Sequence, residues 1–343
     1  MTRLAALVAL TWVAAGCDGG TGPDIPDGLA ACQGTAVLPV APIDPGLLRE
    51  ISPLGNLSPP AHTLPTDHLY WNTNVVGGVS TVANVVAPGD IAITEVTQQT
   101  RTGGGPNDGL NYGLRFYPCA DVFMYFAHLL TLSSGLSAQV GVLTECEPPS
   151  TTGGITSVEC RKTVDIRLTA GTAIGTAGGP NFPGIDFGGA DRRVPQLAFV
   201  NPARSYGNNT DFGQNRTICP IDYFVPVVAE ALRAKLGREG LRRTIAPVCG
   251  TIMQDVPNTA QGRWYFDNTE RDDPHLALAH NNGDPGMGVI SSGTSITNPP
   301  PPLRHVLIQL LTATRVRIEG VIGATCGDPA TWAFTAGARE FTR

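Results

Sequence analysis

Charge is scarce in this chain: Asp, Glu, Lys and Arg together make up 15% of its 343 residues. Lys and Arg number 23 against 29 Asp and Glu, a formal net charge of −6. Without a concentrated basic face there is nothing to neutralise phosphates, so no nucleic-acid partner is expected. Low charge combined with 41 Gly and 29 Pro, about a fifth of the chain, argues against helical bundles and coiled coils. Other signatures are missing too. There is no Gly-x-Ser-x-Gly elbow to supply a serine nucleophile, and the Gly-rich stretch 171–179 lacks the Gly-x-Gly-x-x-Gly spacing of a nucleotide loop. No Cys-x-x-Cys pair argues for a zinc cage, no segment after the first twenty residues is apolar for long enough to span a bilayer, and no internal repeat is visible. What remains is a 42% apolar chain, able to bury the core of one large or two ordinary domains.

The first residues carry one positive charge at Arg3, an apolar run from Leu4 to Ala15, then Gly16 and Cys17. That run is too short for a permanent membrane helix and is expected to be an export signal. A cysteine directly after small residues resembles the lipobox of bacterial lipoproteins. The resemblance implies a signal peptide over 1–17, lipidation of Cys17, and an exported protein held at the cell envelope through its lipid. Residues 18–50, rich in Gly, Pro and Asp, are expected to be a tether. Seven cysteines remain in what would be an oxidising compartment, where disulfides are favoured over metal ligation. Cys146 with Cys160 and Cys219 with Cys249 are the expected bridges, and the odd count leaves one thiol over.

From Ile51 onward, short apolar runs alternate with Gly and Pro clusters, including the Gly103–Asn107 loop, which is an all-β pattern. We expect a mainly β protein: a β-sandwich domain over 51–192 and a second β-rich domain over 193–343. The second domain carries one good helix at about 222–236, where Phe224, Val227, Val228, Ala231, Leu232 and Leu236 recur at helical spacing. Asp222 is the expected N-cap and Gly237 the expected C-cap, and the Pro299–Pro302 run breaks the strands that follow.

The residues with chemistry begin at His62-Thr63-Leu64-Pro65-Thr66-Asp67-His68, where two imidazoles and a carboxylate share one turn. Such groups are natural ligands for a divalent transition metal, though a loop of this kind is more often plain hydrogen-bonded structure. Downstream follow Ala87-Pro88-Gly89-Asp90, Tyr125-Phe126-Ala127-His128-Leu129, the stretch Gly171 to Gly178, and Gly184-Ile185-Asp186-Phe187. This order resembles the lysostaphin-type zinc endopeptidases of bacterial cell walls, over about two-fifths of the chain. The resemblance implies His62, Asp67 (or His68) and Asp186 as zinc ligands and His128 as the catalytic histidine. It departs from the family in two ways. Four residues separate His62 from Asp67 where the family has three, and the closing His-Leu-His becomes Gly184-Ile185-Asp186. The expectation is therefore a degenerate, peptidase-like domain that binds cell-wall peptide or an envelope partner, with an active but atypical zinc metallopeptidase as the alternative. Arg263-Trp264-Tyr265-Phe266 is expected to be a core strand.

Overall fold

The computed structural model describes residues 25–59, 62–104, 108–152, 154–207, 210–268, 274–293, 303–322 and 334–343. The expected signal peptide with Cys17, the tip of the Gly103–Asn107 loop, the Pro299–Pro302 break and Cys326 lie outside the described residues. The body is mainly β, as the alternation of short apolar runs and turn residues predicts.

A nine-stranded antiparallel sheet dominates. Its strands are β1 (Leu48–Ser52), β2 (His68–Thr73), β3 (Ile91–Thr102), β4 (Gly109–Cys119), β5 (Val122–Leu129), β6 (Ile155–Leu168) and β7 (Gly184–Asp191), in the spatial order β1-β2-β7-β5-β4-β3-β6, with the short strands Glu145–Cys146 and Ser150–Thr152 pairing onto β6. Alternation gives these strands two faces. On one, Leu69, Trp71, Ile185, Phe187, Phe126, Phe116 and Met124 are all essentially inaccessible to solvent, and the rings of Phe126 and Phe187 pack 4.8 Å apart. The other face of the central strands carries His68, Tyr70, Tyr125 and Asp186. A small sheet built from Ala83–Val86, Ala173–Ala177 and Thr131–Leu132 contributes Ala83, Val85, Ile174 and Ala177 to the same core. The short helix α1 (Ser134–Val140) was not expected; the Ser133 hydroxyl caps it by accepting from Leu136 N–H.

The structure redraws both expected boundaries of this body. The tether expected over 18–50 is docked from Cys32 onward: Cys32 is bridged to Cys119, and Leu38, Ile43 and Leu48 are fully buried. Spacing rules alone could not reveal this, because isolated apolar residues in a Pro-rich segment show no periodicity. At the other end, Phe199, Ile218, Tyr223, Phe224, Leu232, Leu236 and Ile252 belong to the same core, so its boundary falls after residue 252 rather than at 193. The expected helix is also shorter. It runs as α2 (Pro226–Arg233) behind a separate 3-10 turn at Pro220–Tyr223, because Pro226 sits at the first turn and the residues before it are extended. Val225 rather than Asp222 is the N-cap, and Gly237 opens a two-residue strand instead of capping the helix.

Beyond residue 260 the strands form two three-stranded sheets: β8 (Gly262–Trp264) with β9 (Leu276–His280) and β10 (Gly288–Ser292), and β11 (Leu303–Thr312) with β12 (Arg315–Ile322) and β13 (Arg339–Thr342). They close over Trp264, Leu276, Leu278, Val316, Ile318 and Phe341. The Arg343 guanidinium stacks 4.3 Å above Trp264. Both predicted disulfides are present, together with the Cys32–Cys119 bridge.

Candidate functional site

The polar face of the central strands brings together every side chain expected at the site. In the β2–β7 register Tyr70 lies opposite Asp186 and His68 opposite Gly188; in the β7–β5 register Asp186 lies opposite Ala127 and Gly188 opposite Tyr125. Gly188 makes the assembly possible: a Cβ there would lie 2.4 Å from the Tyr125 ring. The ring therefore crosses β7 through the space a side chain would fill, and its hydroxyl reaches Asp67 Oδ1 at 2.8 Å.

His128 is aimed by a β-bulge. Leu114 pairs with Phe126 and Tyr112 with Leu129, so Gly113 alone faces both Ala127 and His128. His128 adopts φ +64, a left-handed conformation uncommon outside glycine. It is held there by stacking on Phe182, with centroids 4.7 Å apart, and by Asn111, whose Oδ1 lies 3.2 Å from His128 Nδ1. The Asn111 amide donates to the Gln99 carbonyl, which leaves its oxygen to accept from His128 Nδ1–H. The Nε2 atom of His128 then faces Asp186 Oδ2 at 3.3 Å.

Asp186 Oδ2 also meets His68 Nε2, at 3.5 Å. On its other side His68 Nδ1 lies 3.2 Å from both Asp67 Oδ1 and the Tyr125 hydroxyl oxygen. Burial pushes the Asp67 carboxyl upward, but hydrogen bonds from His68 and Tyr125 and the charge of His68 outweigh it and hold the group at about 2. Asp67 is thus an acceptor, and His68 Nδ1–H donates to it. Burial, reinforced by His68, lowers His62 to about 4, so its imidazole is neutral near pH 7; its ring stands edge-on to His68, with centroids 5.6 Å apart. Burial likewise lowers His128 and raises Tyr125 and Tyr70.

His62, Asp67, His68, His128 and Asp186, drawn from three separate stretches of sequence, therefore share one centre. Sequence reasoning did not assign Tyr125, Asn111, Phe182, Gly188 or Gln214 to it. Tyr125 stands inside the Tyr-x-x-His segment and was within reach; the others are placed by pairing across strands and loops. The zinc site implied by the resemblance is not assembled. Among the described residues no group of three or more His, Cys, Asp and Glu side chains is placed to hold a metal ion. The oxygens of Asp67 are taken by Tyr125, His68 and Gln214, and two imidazoles flank a single oxygen of Asp186. This donor set does not fit zinc, and what it offers is proton exchange and hydrogen bonding.

Beside the centre opens a cleft of about 1280 Å³. Asp67 and Tyr125 form part of its wall, with Phe123, Tyr206, Phe212 and Gln214 around them. No protein-family model, curated protein or solved structure matches this chain.

Proposed function

We propose that this is an exported, lipid-anchored protein of the bacterial cell envelope whose lysostaphin-type, peptidase-like site binds an extended peptide of the cell wall rather than cleaving it. The observation that carries the reading is the convergence of His62, Asp67, His68, His128 and Asp186 on one centre, of which Asp67, with Tyr125 beside it, forms part of the wall of an aromatic cleft. Binding is favoured over hydrolysis by the closing segment: Asp186 replaces an imidazole, and its oxygen is engaged by two histidines. The cleft supplies what a peptide needs. Aromatic faces of Phe123, Tyr125 and Phe212 give apolar contact, while Thr97, Glu159 and Thr163 in the lining offer hydrogen bonds. Three disulfides fit an oxidising compartment.

The test is titration of the purified soluble portion with cell-wall peptides, followed by calorimetry and by chromatography of the peptide. Saturable binding that is lost in Tyr125→Ala, with the peptide recovered intact and no zinc in the protein, is the expected result. One equivalent of zinc that disappears in His62→Ala, together with cleaved peptide, would replace this reading with the active metallopeptidase. Binding of an envelope protein but not of wall peptide would move the ligand class.

A further inference from the structure

One buried charge in the second module has too few partners. Arg263, on β8, is 1% exposed, and its guanidinium lies 3.6 Å above the Phe199 ring. Its Nη1 donates to Gln214 Oε1 at 2.8 Å, while its Nε and Nη2 atoms are buried with no hydrogen-bond partner among the described residues. Burying an arginine with donors unsatisfied costs stability, and such groups in native folds call for an explanation beyond packing. A Met or Leu would fill the same space beside Phe199 without that cost.

The partner that Arg263 does have supplies the explanation. With its oxygen fixed by the guanidinium, the Gln214 side chain turns its amide Nε2 toward Asp67 Oδ2, 3.5 Å away. Asp67 Oδ1 accepts from Tyr125, so both carboxylate oxygens are held from opposite sides. His68 Nδ1 rests on that same carboxylate, and its Nε2 faces Asp186. The chain of contacts is continuous from Arg263 through Gln214 and Asp67 to His68.

We propose that Arg263 is a positioning residue for the His68 centre: by fixing the Gln214 amide it holds the Asp67 carboxylate, and so fixes His68 with its proton on Nδ1. The inference rests on the reading of this centre as the binding site, but it concerns the state of one imidazole in the free protein, so it stands or fails without any ligand. Arg263 is not among the residues lining the cleft; it acts on His68 through Gln214.

The experiment records the imidazole nitrogen spectrum of His68 at neutral pH in the full folded chain and in three variants. In the parent protein a single pattern with the proton on Nδ1 is expected. Arg263→Met loses that single pattern, Nδ1 being no longer held to Asp67, while the melting temperature is maintained or raised because an under-compensated charge has been removed. Arg263→Lys, which keeps a donor for Gln214, restores the parent pattern in part. Gln214→Glu, which cannot donate to Asp67, reproduces the loss with Arg263 in place and covers the case in which Arg263→Met does not fold. Arg343→Met, which removes the guanidinium stacked on Trp264 in the same module, leaves His68 unchanged. The proposal is overturned if His68 is unmoved in folded Arg263→Met or in Gln214→Glu. It is equally overturned if Arg343→Met shifts His68 as much as Arg263→Met, since that would make the effect general loosening of the module.

Discussion

At the scale of single residues, burial and charge set the chemistry. His62 has its ordinary value of 6.5 lowered to about 4, so the folded protein resists a proton that the unfolded chain accepts. A depressed value means the stabilisation is complete above pH 6.5 and is lost as pH falls toward 4, roughly 2 kcal/mol after allowance for partial exposure. Asp67, lowered to about 2, adds a second loss between about pH 4 and 2. Chemical denaturation at stepped pH is expected to show both windows, and His62→Ala to diminish the first, to which the lowered His128 also contributes, without changing the second. Gly188 gives a different residue-level expectation. Alanine there must displace the Tyr125 ring from across β7, so Gly188→Ala should destabilise by about 1–3 kcal/mol, measured by urea unfolding, and weaken peptide binding. An unchanged midpoint would show that the ring has room to move.

The elements carry the strain and the staples. The bulge in β5 gives His128 a left-handed backbone, so glycine should be accepted there better than alanine although both delete the imidazole. His128→Gly is expected to be more stable than His128→Ala by about 1 kcal/mol, a comparison in which the lost stacking on Phe182 cancels. Equal stabilities would mean that the bulge relaxes. The bulge is also why periodicity could not assign the imidazole: it stands near an apolar run, and only the extra residue opposite Gly113 turns it toward Asp186. Disulfides act at this scale too. The Cys32–Cys119 bridge spans 87 residues and Cys146–Cys160 spans 14. In the chain-entropy account, removing the first should cost about 4–5 kcal/mol and the second about 3 kcal/mol. Paired Cys→Ala variants compared by thermal unfolding test that order.

For the whole molecule, the two modules are expected to unfold together. Leu57 and Leu64 pack with Tyr265, Ala277 and Ala279 across the boundary. Asn282 donates to the Pro53 carbonyl, and the Arg263 guanidinium donates to Gln214 Oε1. Severing such contacts during partial unfolding would expose apolar surface and buried polar groups at once, so circular dichroism and tryptophan fluorescence should report one coincident transition. Two separated transitions would show independent modules. The proposed anchor belongs to this scale as well: in a bacterial host, labelled fatty acid is expected on the parent chain and to be lost in Cys17→Ser.

Composition and local pattern by themselves determined the β class, because Gly and Pro punctuation and short apolar runs act over a few residues. Two disulfides were legible for the same reason: Cys146 faces Cys160 across one hairpin-like arm, and Cys219 and Cys249 flank a single helix. The candidate ligands of the centre were legible as residue types in an order. Tertiary structure alone decided the rest. Which side of β7 faces the core, how the Gly188 gap admits Tyr125, the bulge behind His128, the capture of residues 32–47 by the body and the reach of Arg263 toward Asp67 all depend on pairings between residues distant in sequence. Strand register across such distances is set by the packing of the whole sheet, and no local window of sequence contains it.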